Sequence, residues 1–228
     1  MNFSPTNIIS QAWQLWKNHI VFSWKVLGVI VLVTIVFSIL DPNGDSALIS
    51  LLSMVVTLFF ELGAFALFLK LIRTGQEGKI EEILGQKDIY LQALIGNVIY
   101  YIMMVIGFIL LIVPGIYVFV RFMLLPYVFV DQKLGWQEAL KEASRLSEGY
   151  RWNLLGFALL LILINFVGAL LLLVGLLVSI PVSAMAMAMA YEHIKKEKDG
   201  VKETVRAKTR TKTTPAIEVP AATPEPVI

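Results

Sequence analysis

The chain has no cysteine, only two histidines and few charges, and each shortage removes a class of function. Without cysteine there is no disulfide, no thiolate nucleophile and no Cys-based metal site. His19 and His193 stand near opposite ends of the chain, each at the edge of an apolar run, where an interfacial side chain is the simpler reading than a shared metal ligand. No metal and no cofactor is expected. Charged residues make up 16%, against about a quarter in ordinary soluble domains, while 57% are hydrophobic and the mean hydropathy is +0.76. That composition belongs to a membrane protein. A net charge of +2 is too small to imply nucleic acid. The motifs of common hydrolases and nucleotide enzymes are missing as well: no Gly-rich phosphate loop, no nucleophile elbow and no H-E-x-x-H occur. Glu81-Glu82 lacks the downstream Arg and helical His residues that an intramembrane carboxylate protease would need.

What is present is a series of long apolar runs. About 20 apolar residues cross a hydrocarbon core of about 30 Å. Runs at 21–40, 48–69 and 89–113 meet that length, and 115–130 is read as a fourth span because Pro114-Gly115 breaks the run ahead of it. The run 154–191 is long enough for two spans, with Asn165, Gly168 and Gly175 as the candidate turn residues. Six spans follow. The fold class expected is an all-α polytopic transmembrane helical bundle.

Lys and Arg cluster before span one, between spans two and three, between four and five, and after six. The short turns "DPNGDS" and "VPG" have neither. The positive-inside rule then puts both termini in the cytoplasm. Span one is too long for a signal h-region and should stay as an anchor. Residues 1–198 form the membrane domain, and 199–228, rich in Thr, Pro, Ala and charge, are expected to be a disordered cytoplasmic tail.

Self-similarity subdivides the membrane domain. "SWKVLG" ending at Gly28 resembles "RWNLLG" ending at Gly156, and "LQALIG" ending at Gly96 is a weaker third copy. Each precedes a span pair and follows an amphipathic stretch. Ile8, Ile9, Ala12, Trp13 and Trp16 make the first apolar face, Ile80, Ile83 and Leu84 a shorter second, and Trp136, Ala139, Leu140, Ala143 and Leu146 the third. Such helices either lie in the headgroup layer or pack on the ends of the bundle. The expected architecture is three repeats of surface helix plus helical hairpin.

Two ionisable residues lie deep in apolar runs, Glu61 in "LFFELGAF" and Arg121 in "VFVRFMLL". Each stands at the same distance ahead of a glycine that follows its hairpin, Glu61 before Gly75 and Arg121 before Gly135. Both then fall about 15 Å from a span end at 1.5 Å per residue, close to the midplane. An ion pair between spans two and four is the preferred reading. Two others stand beside it: Arg121 snorkelling to a surface with Glu61 protonated, and a transport or proton-relay role. In "SAMAMAMAYE", Ala184 and Ala188 have the small-xxx-small spacing of close helix contact.

The stretch 112–160 contains a Pro-Gly turn, an intramembrane Arg, an acidic residue after the span, "GWQEALKEAS" and a Gly-aromatic-x-W step at "GYRW". In these it resembles the membrane domain of glycerophosphoryl diester phosphodiesterases and related uncharacterised bacterial membrane proteins, including the YciC-like group. The resemblance extends loosely from 8 to 196. Larger members of that family carry a separate phosphodiesterase barrel after the membrane domain; here the tail follows instead, so catalysis is not implied. The reading is a non-enzymatic membrane scaffold or lipid-interacting module, with a small transporter or channel component as the alternative. Membrane lipids are the expected partners, with protein partners or a homo-oligomer as further candidates, and no nucleic acid.

Overall fold

The structure, a computed structural model, describes residues 3–171 and 175–213, with 202–213 as backbone alone. It is all-α, with no strand among the described residues. Helix α1 (Pro5–Asn18) leads into a hairpin of α2 (Ile20–Leu40) and α3 (Ala47–Thr74). A 3-10 helix, Ile80–Gln86, precedes α4 (Lys87–Leu110), α5 (Ile112–Phe122) and α6 (Leu125–Gln132). Helix α7 (Trp136–Ser147) then precedes α8 (Arg151–Leu170) and α9 (Leu176–Thr213). Six segments are long and apolar enough to cross a membrane: α2, α3, the 3-10 helix with α4, α5 with α6, α8, and α9 as far as Val201. This is the architecture of a multi-pass integral membrane protein.

The helix ends follow local chemistry. Pro5 opens α1 at its first position, where the missing N–H has no intrahelical partner to lose. Ser46 caps α3 by accepting from the Ile49 N–H at 3.3 Å, and Gly75, at φ 68°, closes it in the left-handed conformation. The break between α4 and α5 falls at Leu111, whose extended backbone (φ −168°, ψ 154°) lies one turn ahead of the expected Pro114-Gly115. Pro114 cannot bond to the Leu110 carbonyl and its ring would collide with it, so the helix must end before the proline is reached. Pro126 acts likewise on the Phe122 carbonyl, and the chain breaks at Met123 and Leu124. Span four is therefore two short helices.

Glycines set the hairpin seams. A Cβ on Gly107 would lie 3.0 Å from the Gly115 Cα, so α4 and α5 touch backbone to backbone. A Cβ on Gly175 would fall within 2.6 Å of the Gly168 Cα, which closes α8 against α9. Of the three turn candidates, Gly168 and Gly175 thus hold the turn, while Asn165 lies inside α8. There its amide donates to Ser183 Oγ at 2.8 Å and its carbonyl accepts from Ser179 Oγ at 2.9 Å.

The amphipathic helices pack on protein. In α1 the buried residues are Ile8, Ala12 and Trp16, and the helix lies along α9 and against α8. In α7 they are Ala139, Ala143, Leu146 and Ser147, turned toward α4, α5 and α6. The order of helix then hairpin holds for α1–α3 and α7–α9, but the middle position is taken by the 3-10 helix. Its Ile83 presses on α3, where a Cβ on Gly63 would come within 2.7 Å of the Ile83 Cα. Trp24 and Trp152, at matching places in the first and last copies, are both exposed, on the opening turns of α2 and α8. Helix α9 runs on to Thr213, past the tail boundary expected at residue 199. Residues 214–228 lie outside those described.

Candidate functional site

Three polar constellations interrupt the apolar bundle. The first ties α3, α6 and α9 together where α3 ends. Arg73 donates to Asp131 Oδ1 at 2.5 Å and through Nε to Glu192 Oε1 at 2.5 Å. Asp131 Oδ2 accepts from the Tyr191 hydroxyl at 2.6 Å and also from Lys195. The Asp131 side chain is 5% exposed, so its charge is held by two cations and a phenol rather than by water. Nearby, Lys70 pairs with Glu82 at 2.7 Å. Arg145 pairs with Glu142 at 2.6 Å and Asp199 at 3.2 Å, and the Glu142 hydrogen bond holds its guanidinium above the ordinary value. These four cations, Arg73, Lys195, Lys70 and Arg145, are each matched by an acid.

Two arginines break that pattern. Arg121 donates through Nε to Ser144 Oγ on α7 at 2.8 Å, and its guanidinium lies 5.9 Å from the Tyr117 ring and 5.3 Å from the Phe122 ring. Arg151, the first residue of α8, sits over the same Tyr117 ring at 4.9 Å. Among the described residues neither meets a carboxylate, and the Nε of Arg151 is buried with no hydrogen-bond partner. Tyr117 thus carries a guanidinium from each of two helices. We refer to this group as the arginine shelf.

The third constellation surrounds Glu61. Ser46, Ser50, Ser53, Thr57 and Glu61 recur at intervals of three and four along α3 and share one face. With Thr34 on α2 and Asn97 and Tyr101 on α4, all of these but Ser46 line a cleft of about 370 Å³. It adjoins a second, of about 310 Å³, lined by Thr34, Ser38, Asp41, Ser50 and Ser53 next to the α2–α3 turn. A polar path therefore leads from that turn to Glu61. Thr34 and Asn97 bond to carbonyls one turn back, Ile30 at 3.0 Å and Ala93 at 2.8 Å. Among the described residues, no protein partner is seen for the side chains of Ser50, Ser53, Thr57 or Glu61 in hydrogen bonds or ion pairs.

The structure does not bring Glu61 and Arg121 together, so the expected ion pair is not formed. The equal register of the two residues assumed straight spans. The break at Met123 and Leu124 redirects α5, so that Arg121 reaches α7 and shares Tyr117 with the residue that opens α8. In the chain it stands half-way along the 112–132 span, and in space it lies beside the residue that opens α8. The network around Asp131 has no local sequence signal, since its members come from three distant helices. The Glu61 cleft does have one, the three-and-four spacing of Ser and Thr ahead of the acid, which hydropathy averaging hides. No group of three or more His, Asp or Glu residues suited to a metal occurs among the described residues.

Comparison of the chain with protein-family models, with curated proteins and with solved structures gives no match.

Proposed function

We propose that this chain is a non-enzymatic, lipid-interacting membrane module whose arginine shelf holds the phosphate of an anionic phospholipid headgroup. The observation that carries the reading is the pair of guanidiniums on Tyr117 with no carboxylate partner among the described residues, at an end where Arg73, Arg145, Lys70 and Lys195 are each paired. Two positive charges converging on one ring repel each other unless an anion lies between or beside them. Guanidinium recognises phosphate through directed, charge-assisted hydrogen bonds, and the buried Nε of Arg151 is a donor in need of an acceptor. Arg151 opens a span, which is where headgroups lie.

Two further features support the reading. The tip of the α4–α5 hairpin, Ile109 to Val113, is apolar and strongly exposed, as suits a surface bathed in acyl chains. The stretch that carries the family resemblance, 112–160, also supplies every residue of the shelf. On this reading the task of the membrane domain is separate from that of any phosphodiesterase barrel.

The test is lipid retention by native mass spectrometry after extraction in mild detergent. The wild type is expected to keep phosphatidylglycerol or another anionic phospholipid. Arg121→Gln with Arg151→Gln should bind it at least about tenfold more weakly, since even one charge-assisted contact contributes about 1.5 to 3 kcal/mol. Lys25→Gln with Lys133→Gln, which removes two exposed charges, should retain it. Equal retention by both double variants would refute the shelf as a headgroup site.

A further inference from the structure

Independently of the shelf, we propose that the cleft between α2, α3 and α4 is a binding site for one unit of positive charge, a proton or an alkali-metal cation, with Glu61 as its carboxylate. The argument begins with what the stripe on α3 does not do. Serine and threonine in membrane helices usually satisfy their hydroxyls on a carbonyl one turn back, as Thr34 and Thr74 do here. Ser50, Ser53 and Thr57 do not, and they face a cavity large enough for several waters, at about 30 Å³ each. The stripe thus leaves polar groups unmatched along a concave surface that ends at an acid.

Charge then narrows the occupant. An unpaired carboxylate within a span is costly unless a proton or a cation neutralises it. No Lys, Arg or His lines the cleft. The titratable groups facing Glu61 are Tyr101 from α4 and none from α2, whose contribution is Thr34. Asp41, nearer the turn, is already engaged as an acceptor for the backbone N–H groups of Asp45 at 3.2 Å and Ser46 at 3.0 Å. The remaining donors are hydroxyl, amide and phenol oxygens, hard ligands with no sulfur or imidazole among them. One carboxylate balances one charge, whereas a divalent site would gather more. The adjoining cleft continues toward the α2–α3 turn, which gives the route of exchange.

The cysteine-free chain permits a direct test in membranes. Thr57→Cys should react with a membrane-impermeant thiol reagent from the same side as Asn43→Cys in the turn, whichever side that is. A cationic reagent should react with it faster than an anionic one of equal size, and Glu61→Gln should abolish the difference. Dicyclohexylcarbodiimide, which adds to protonated carboxyls in apolar surroundings, should modify Glu61 in the wild type. Protection by sodium or potassium chloride relative to N-methylglucamine chloride would identify an alkali-metal occupant, and dependence on pH alone would identify a proton; either result sustains the proposal. If Thr57→Cys does not give a monodisperse protein, Ser53→Cys takes its place. A folded cysteine variant that stays unlabelled while Asn43→Cys reacts would overturn the proposal. So would labelling whose charge preference is the same with and without the carboxylate.

Discussion

Asparagine in place of Asp131 keeps the shape of the side chain and one acceptor oxygen, but removes the charge that Arg73 and Lys195 share. Tyr191 can still donate to the remaining oxygen. Breaking a fully buried ion pair by removing one partner costs about 3 to 5 kcal/mol. Here the cost is lower, because the Arg73 side chain is 35% exposed and keeps Glu192, while Lys195, at 25%, can turn partly toward water. About 2 to 3 kcal/mol is expected, which for a chain of this size is a fall in Tm of about 4 to 12 °C. Arg73→Leu should also destabilise, since it leaves Glu192 with only the longer contact to Lys196 at 3.8 Å. The double variant should lose less than the sum of the two, with a coupling of at least about 1 kcal/mol. Intrinsic tryptophan fluorescence during heating in mild detergent reads all four proteins. A Tm for Asp131→Asn within about 1 °C of wild type, or additivity within about 0.5 kcal/mol, would refute the claim that this network clamps α3, α6 and α9.

Other expectations follow from the same structure. Because Glu61 and Arg121 occupy separate sites, Glu61→Leu and Arg121→Leu should be additive within about 0.5 kcal/mol in the same melts, and a larger coupling would restore the ion pair. Gly107→Ala should split the α4–α5 hairpin and cost about 1 to 3 kcal/mol, because the added Cβ meets the Gly115 backbone at 3.0 Å. Gly156→Ala meets nothing within 4 Å and should be neutral or stabilising by up to about 1 kcal/mol; equal effects of the two changes would contradict the seam. Cysteines at Ser4 and Thr213 should both resist an impermeant thiol reagent in intact cells while one at Asn43 reacts. Labelling at Thr213 alone would mean that 154–191 crosses once.

The span count was legible because hydropathy and length are local properties, and α2, α3 and α8 begin and end within a few residues of the expected runs. Pro114 and Pro126 were equally visible. Their consequence was harder to see, since a proline announces that a helix breaks but not where the next helix goes. Arg121 stands at mid-span by counting residues, and only the packing of α5 and α6 on α7 brings it to Ser144 and beside Arg151. Asp131 shows the opposite limit. It reads as a boundary charge, and nothing near it in the chain reveals Arg73, Glu192 or Lys195 as partners. The polar face of α3 was within reach of the sequence. Its serines and threonine are mild in hydropathy, so the run scores as apolar while its angular pattern goes unread.

The central claim, that the arginine shelf meets a headgroup, requires the segment bearing Arg121, half-way along the 112–132 run, to lie in the headgroup layer, and its depth can be measured. A spin label at Tyr117→Cys, in nanodiscs containing phosphatidylglycerol, is compared by power saturation in oxygen and in a water-soluble nickel chelate with labels at Trp152→Cys and Ile162→Cys. The Tyr117 label should match the depth of Trp152, which adjoins Arg151 at the opening of α8, and should lie shallower than Ile162 at the middle of that span. A Tyr117 label at the bilayer midplane, with Trp152 at the surface, would contradict the account.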